Sequence, residues 1–574
     1  MLVQSRRRRH ERLVAAAAAV AALGLLAGAT HPPAQAGPAG RAVPERIAAA
    51  QQAADGRPNI VVIMADDMRA DDMRYMPRTR RLLGGHGVTF ANSFSPYPLC
   101  CPARASFLTG RYTHNHKVWS HTKPWGFTSF DDRSTLPVWL SAAGYQTGFT
   151  GKYLNGYGYQ DAPDGTASPT YVPPGWTDWR GAIDRGGLDH PWPGGTYQFF
   201  DTTLNVNGTI TPHPGQYQSG MLGDHSVEMI DDFASTGAPF FLYASFVAPH
   251  FGRPREADDP RPVRRDDGER TRITTTARPN WVKGRFDRVI TKPPGLVGDP
   301  DAPVTGKPAF IRALVPINEA ERRAMTKASR QRAEAVYVLD QQVERIVDRL
   351  RRNGELSNTI IAFTADNGYF AGEHRIRQGK ILPYEPSLRV PLLIRGPGIP
   401  AGEVRKAPIS TVDLAPTFAD AAGVRPGTVP DGRVMRDTLN RHRAWNRGIL
   451  TESGPRALLA SEENAAAFDD EDVARAPREM RAINGLRTDR WLYVEHKTGE
   501  KEMYDMSVDP RQLRNVVKLS RHTRQRKLLA AELQRLMNCA GAECTALLPP
   551  KLRSPVGGIV SGRAMTSGYR APQG

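Results

Sequence analysis

NIVVIMADD, residues 59–67, decides how the rest of the chain is read. Its first six residues form an apolar run with no polar alternation. That is the pattern of a strand buried on both faces of a parallel sheet. The run ends in Ala65-Asp66-Asp67. TIIAFTADNG (359–368) repeats the design, an apolar strand running into Ala365-Asp366-Asn367-Gly368. YQTGFTG (145–151) runs into Lys152, and PFFLYASFV (239–247) runs into Ala248-Pro249-His250. VPLLIRGPG (390–398) is a further strand.

Helical segments lie between these strands. STLPVWLSAAG (134–144) reads as a helix ending at Gly144. Val336, Leu339, Val343, Ile346, Val347 and Leu350 share one face at helical spacing, with charge opposite, and Asn353-Gly354 ends that helix. Alternating strands and helices predict an α/β fold, a large and mostly parallel sheet flanked by helices. Residues 253–308 are polar, charged and Pro-rich and read as a surface excursion. INGLRTDRWLYVEHKTGEKEMYDM (483–506) reads as an antiparallel hairpin turning at KTGEK, followed by a helix over RQRKLLAAELQRLM (524–537). The expected organisation has five parts. They are an export signal (1–36), a linker (37–56), a catalytic domain (57–440), a smaller C-terminal α+β domain with an antiparallel sheet (441–547) and a flexible tail (548–574).

The first segment is targeting, not fold. SRRRRHERL (5–13) is basic, VAAAAAVAALGLLAGA (14–29) is apolar, and AQA (34–36) is a cleavage site. Secretion or another extracytoplasmic destination follows, by the general or the twin-arginine route. No other run is long enough to cross a bilayer. The 574-residue chain has a formal net charge of +18, and about +14 without the five Arg and one Glu of the signal (18 − 4). A basic surface concentrates anionic substrates; a composition rich in Arg, Ala, Gly and Pro produces the same excess without selection on charge. No zinc-ligand spacing, basic zipper or aromatic RNA motif is present, so nucleic acid is not an expected partner. Of the four cysteines, Cys539 and Cys544 close a small loop and are expected to form a disulfide. Cys100 and Cys101 are neighbours, which pair poorly with each other.

Ligands of open α/β sheets bind beyond the carboxyl ends of the strands. Here four strand ends deliver Asp66, Asp67, Asp366, Asn367, Lys152 and His250. Three carboxylates together repel unless a cation sits among them, and all-oxygen donors suit Ca2+ or Mg2+ better than zinc. One Asp pair after a strand is commonly a helix cap; two such pairs favour a metal.

CCPARASFLTGR (100–111) resembles the sulfatase signature, Cys-x-Pro-x-Arg followed by Leu-Thr-Gly. The register selects Cys100, with Pro102, Arg104 and Leu108-Thr109-Gly110 in place. GEHRIRQGKILPYEPSLRVPLLIRGPG (372–398) and the RTDRW, YDM and DP elements near the end resemble the same family. The resemblance spans residues 57–520, and GKYLNGYG (151–158) is most similar to the N-acetylglucosamine-6-sulfatase and heparan-type endosulfatase branch. These enzymes are formylglycine-dependent members of the alkaline-phosphatase-like superfamily.

The resemblance implies that a separate formylglycine-generating enzyme oxidises Cys100 to formylglycine, whose hydrate attacks sulfur. It implies a divalent ion, Ca2+ before Mg2+, held by residue 100, Asp66, Asp67, Asp366 and Asn367. Arg104 would steady the hydrate, Lys152 and Lys380 would hold sulfate oxygens, and His250 would protonate the leaving oxygen. The chain departs from the family at Ala103, often Ser there, and in Lys152-Tyr153-Leu154-Asn155, since many sulfatases have a His two residues after this lysine, as in Gly-Lys-Trp-His. Asn155, His114, His116 and His374 are the candidates for that imidazole's role. The implied substrate is a sulfated carbohydrate of the glucosamine-6-sulfate type. The alternatives are an aryl sulfate, a phosphate or phosphonate monoester, or non-catalytic sulfoglycan binding with Cys100 left as a thiol. Trp176, Trp179 and Trp192 would either stack on sugar or pack internally.

Overall fold

In the computed structural model, the described residues are 56–121, 123–184, 191–296, 304–454 and 482–554. The expected export signal, the linker up to residue 55 and the tail from residue 555 lie outside them. The apolar run forms β1 (Asn59–Ala65), buried at every position, at the centre of a ten-stranded sheet. The other strands are β2 (Val88–Phe90), β3 (Gln146–Lys152), β4 (Asp178–Ala182), β5 (Asp201–Val206), β6 (Thr209–Pro214), β7 (Phe240–Ser245), β8 (Thr359–Ala365), β9 (Leu392–Arg395) and β10 (Glu403–Arg405). Their order is β10-β2-β9-β8-β1-β7-β3-β4-β5-β6.

The sheet is mixed. Its centre, β8-β1-β7-β3-β4, is parallel. Beyond it β9 and β5 run antiparallel to their neighbours. A short connection such as Asn207-Gly208 permits only an antiparallel return, which is why β5 and β6 form a hairpin on the edge. Register sets up the site. Ala65 lies opposite Ala365, Met64 opposite Ser245, and Gly151 opposite the same Ser245. The residues that follow Ala65, Ala365 and Gly151 therefore emerge at one level of one edge.

The alternation of β1 feeds two cores. Ile60, Val62 and Met64 join one cluster with Phe107, Leu140 and Phe418. They come from α1 (Cys100–Thr109), α2 (Leu136–Ala142) and α5 (Leu414–Ala421). Val61, Ile63 and Ala65 face Met229 and Phe233 of α3 (Gln218–Thr236), and Leu339 and Val343 of α4 (Glu319–Arg352). α4 extends well upstream of its apolar stripe. Asn318 and Glu321 form a capping box at its start, acids fill the first turn, and Arg349, Arg351 and Arg352 complement the dipole at its end. The excursion after residue 253 is not all surface. Arg278 is buried and pairs with Glu256, Asp258 and with Glu334 of α4.

The C-terminal sheet has four antiparallel strands, β11 (Ile449–Ser453), β12 (Ile483–Arg487), β13 (Trp491–His496) and β14 (Lys501–Asp505). The expected hairpin is thus a meander, joined by a strand from far upstream. α6 (Thr523–Leu536) packs Leu529, Leu533 and Leu536 on one face of it, and Leu548 and Leu552 complete that core. Cys539 and Cys544 form the expected disulfide, and Cys100 and Cys101 are free and buried. Leu492, Val494 and Tyr504 pack against Tyr97, Phe370, Ile381 and Tyr384 of the larger part.

Asp413, before α5, ties this junction. Its carboxylate accepts from the backbone of Ser410 (3.0 Å) and Arg433 (2.9 Å) and pairs with buried Arg447. Asp413→Ala leaves a buried guanidinium uncompensated and is expected to cost about 3–5 kcal/mol. Urea denaturation checks this, and a loss below about 1 kcal/mol would show that the pair is dispensable.

Candidate active site

α1 starts at Cys100, directly below the strand edge, and every residue of the helix is buried. Leu99 is extended before it, and Gly110 ends it at φ 68°. The first turn of a helix carries unpaired N–H groups and a positive partial charge, so residue 100 sits where an anion is favoured. Cys100 Sγ lies 3.2 Å from Asp66 Oδ1 and 3.8 Å from Asp67 Oδ1, at the end of β1. Lys380 Nζ donates to Cys100 Sγ at 2.9 Å and to Asp67 Oδ1 at 2.5 Å. Lys152 Nζ, at the end of β3, donates to Asp66 Oδ2 at 2.5 Å. Gly151 makes that possible. Its φ is +104°, and a Cβ there would lie 2.0 Å from the Ser245 carbonyl oxygen.

Two residues with side chains hold left-handed backbone at the site, Asp67 (φ 58°) and Ile381 (φ 78°). A β-branched residue at positive φ is a strong outlier, and such strain persists only where surrounding contacts hold it. For Asp67 those contacts are visible. Its N–H donates to Asp366 Oδ1 at 3.1 Å, and Arg332 Nη2 donates to its carbonyl at 2.5 Å.

Three carboxylates, Asp66, Asp67 and Asp366, face three cations, Lys152, Lys380 and Arg104. Burial works to raise the Asp66 pKa, but Lys152, His250 and Arg104 outweigh it and hold it well below the usual range. Burial together with Asp66 pushes Asp366 up to about 6. Burial, then Asp66, pushes the Cys100 thiol well up, so as a thiol it stays protonated and weakly nucleophilic. His250 is lowered to about 4, by burial first and then by the two lysines against Asp67 and Asp66. Its Nδ1 lies 2.7 Å from the Phe251 carbonyl oxygen, which assigns the proton to Nδ1 and leaves Nε2 as an acceptor.

That acceptor points at another. His250 Nε2 lies 3.4 Å from Asp67 Oδ2, and Asp67 Oδ2 has no hydrogen-bond partner. Asn367 Oδ1 is buried and equally unpartnered. Ligand atoms of Asp66, Asp67, Cys100 and His250 all lie within 4.8 Å of one another. Buried acceptors facing each other without a donor are costly, and a cation among them removes the cost. The donors are chiefly oxygens, which fits a hard divalent ion. Asp366 is the more occupied of the expected ligands. Its Oδ1 also receives Asn367 N–H at 2.7 Å, and its Oδ2 receives Arg104 Nε at 2.9 Å.

The structure brings Asp66, Asp67, Cys100, Lys152, His250, Asp366, Asn367 and Lys380 to one place. Arg104 is there too, behind residue 100. Its hydrogen bonds go to Asp366, the Lys152 carbonyl and Ser245 Oγ rather than to residue 100, so it braces the shell from behind. His114 turns away to Glu452 and the Cys539 carbonyl, and His116 bonds Ser106 on the far side of α1. His374 packs at a tilt against Tyr384, ring centroids 4.4 Å apart, beside Lys307. Asn155 reaches the site through Tyr197, donating to its hydroxyl at 2.7 Å, and the Tyr197 ring lies 5.0 Å from Lys152 Nζ and 4.8 Å from the His250 ring. Trp179 is fully buried on Phe149 (4.4 Å) and Trp176 stacks on Phe241 (5.7 Å), so both pack internally. Trp192 is half-buried against the same core.

Three neighbours are absent from the sequence reading. They are Tyr197, Arg332 and His121, whose Nε2 lies 3.4 Å from Cys101 N and whose pKa is held well down by burial, Lys380 and Lys152. Tyr197 and His121 come from irregular loops with no periodic signal. Arg332 belongs to the charged side of α4, which reads as solvated but is buried here.

The Sulfatase family model matches residues 58–424. The chain is 31% identical over 526 residues to the N-acetylglucosamine-6-sulfatase of Capra hircus, with 85% of each chain covered. It is 32% identical over 427 residues to the extracellular sulfatase SULF-1 homolog of Drosophila melanogaster, a match covering 71% of this chain and only 34% of that longer protein. A solved structure in complex with its substrate D-glucosamine-2-N,6-O-disulfate superposes with a TM-score of 0.62 at 22% identity, covering 83% of this chain and 97% of that one.

Proposed function

Because the chain belongs to the sulfatase family, we propose that it is an exported sulfuric ester hydrolase that desulfates sugars of the glucosamine-6-sulfate type, using a formylglycine made from Cys100 and a bound calcium ion. The observation that carries this reading is the position of residue 100. It sits at the head of α1, 2.9 Å from Lys380 Nζ and 3.2 Å from Asp66 Oδ1, under two unpartnered buried acceptors. The basic and apolar segments of residues 5–29 support export, and the named relatives support the sugar.

Asp66, Asp67, residue 100 and Asn367 would hold the ion, with Asp366 aligned by Arg104; bound there, it supplies positive charge that stabilises anionic oxygens and polarises residue 100. A hydrated aldehyde at residue 100 would supply two geminal hydroxyls, one to attack sulfur and one whose deprotonation expels sulfate. The remaining work falls to side chains of this chain. Lys152 and Lys380, both kept charged because Asp66 and Asp67 outweigh burial, donate N–H to the sulfate oxygens. The N–H groups of the first turn of α1 add to that field. His250, with Nδ1 anchored on Phe251, can protonate the leaving oxygen from Nε2 only as the imidazolium, a form that the negative charge of a bound sulfate ester favours. Tyr197 walls the pocket between Lys152 and His250.

His250→Gln is expected to lower kcat about 100-fold or more with a sugar sulfate and little KM change. The loss should be smaller with an aryl sulfate, whose leaving oxygen needs no proton. Equal losses on both substrates would remove the acid role. The reading as a whole is tested by turnover of glucosamine-6-sulfate, an aryl sulfate and an aryl phosphate, with and without chelator. Aryl phosphate turning over faster than both sulfates would make this a phosphomonoesterase. No turnover, with residue 100 recovered as an alkylatable thiol from a host that has the generating enzyme, would make it a binding protein.

A further inference from the structure

Lys380 stands between two residues of left-handed backbone, Gly379 (φ 124°) and Ile381 (φ 78°). Glycine takes such an angle freely, but the branched Cβ of isoleucine crowds the backbone there. Ile381 keeps it only because contacts hold it on every side. Its N–H donates to the Pro98 carbonyl at 3.0 Å. Its carbonyl accepts from Ser453 Oγ at 2.7 Å. Its side chain is buried in a cluster with Tyr97, Leu99 and Leu492.

Ser453 is the last residue of β11, is buried, and pairs with Ile483 in the C-terminal sheet. Its neighbours in the chain grip the segment that leads into α1. Glu452 N–H donates to the Pro96 carbonyl at 2.9 Å, and Gly454 N–H donates to the Tyr97 hydroxyl at 2.5 Å. Residues 96–98 run directly into Cys100, and Ile381 directly follows Lys380. Three consecutive residues at the end of one strand therefore fix both of the segments that must meet for Lys380 Nζ to reach Cys100 Sγ at 2.9 Å. A lysine stem is long and rotatable, so the backbone under it decides where its ammonium rests.

We propose that Ser453 is a positioning residue for sulfate-ester hydrolysis. Its hydroxyl holds the strained Ile381 peptide, and that peptide keeps Lys380 Nζ against residue 100. The proposal rests on the sulfatase reading and adds that the C-terminal sheet is part of the catalytic apparatus and not only a cover for it. Without the hydroxyl, the Ile381 carbonyl loses that donor, residue 381 relaxes to negative φ, and Lys380 Nζ swings away from residue 100.

The test combines kinetics on glucosamine-6-sulfate with crystal structures of the full, calcium-loaded chain. Ser453→Ala is expected to lower kcat about 10- to 100-fold, the size of effect that a small misplacement of a charged group produces. In a Lys380→Ala background the same substitution should change kcat less than about twofold, because its effect passes through Lys380. Thr488→Ala, which removes another buried hydroxyl, between β12 and β13, should stay within about twofold of the parent. The Ser453→Ala crystal structure should show residue 381 at negative φ and Lys380 Nζ out of hydrogen-bond reach of residue 100. The proposal is overturned if Ser453→Ala turns over as the parent does, if it costs the same factor with and without Lys380, or if Thr488→Ala costs as much. It is equally overturned if Lys380 stays in place in the variant's structure. A parent that turns over no sulfate ester, with Lys380 displaced in Ser453→Ala, would count against the catalytic reading alone.

Discussion

Cys100→Ala is expected to abolish sulfate-ester turnover, lowering kcat by about 10^4-fold or more, while Cys101→Ala stays within about fivefold of the parent. The asymmetry follows from geometry. Cys100 Sγ lies inside the shell of Asp66, Asp67 and Lys380. The Cys101 side chain points the other way, with its sulfur 3.8 Å from the Asn155 carbonyl oxygen. Cys101 packs in the apolar core with Phe107 and Leu108. The same experiment bears on the chemistry of residue 100. Conversion of cysteine to formylglycine exchanges the sulfur and two hydrogens for one oxygen, a loss of about 18 Da that hydration masks, so the peptide is best read after trapping with a hydrazide. The proposal fails if Cys100→Ala keeps a tenth of the activity, or if active protein contains only the thiol.

Removal of divalent ions is the second large effect expected. Asp67 Oδ2 and Asn367 Oδ1 are buried without partners, and Asp67 Oδ2 faces an imidazole acceptor. Chelation should lower activity at least about 100-fold and lower the unfolding midpoint as well, because the stabilising ligand binds only the folded state. Added Ca2+ should restore both, and Mg2+ less completely. Asp67→Ala should lower activity by a similar factor and make the unfolding midpoint insensitive to added Ca2+. Full activity in protein shown by mass spectrometry to be metal-free would end the metal assignment. The midpoint is an independent readout, since a purely catalytic ion could be lost without moving it.

Most of the site is legible in the chain itself. An apolar strand buried on both faces can carry polar residues only at its ends, so NIVVIM and TIIAFT point directly to Asp66, Asp67, Asp366 and Asn367. The same logic finds Lys152 and His250. Arg104 belongs to the site, and the structure shows its partners there. The motif places it near residue 100 in sequence, while the helix turns its guanidinium towards Asp366 and Ser245. His121 and Tyr197 escape because loop residues carry no period from which a direction can be inferred. Arg332 escapes because a charged helix face is normally solvated, and only the approach of the Asp67 and Pro249 carbonyls to α4 explains its burial.

Local patterning by itself determined the fold class, five strands of the main sheet and their order of appearance, and the residue types gathered at the strand ends; the shorter, outer strands it did not show. Those depend on burial and on spacing along a single strand, which a sequence displays. Only the tertiary structure decided the mixed sheet order, the fourth strand of the C-terminal sheet and the partners of each cation. It also showed that Trp176 and Trp179 belong to the core. These depend on contacts between segments far apart in sequence, where register and the direction of a side chain are set by packing rather than by neighbours in the chain.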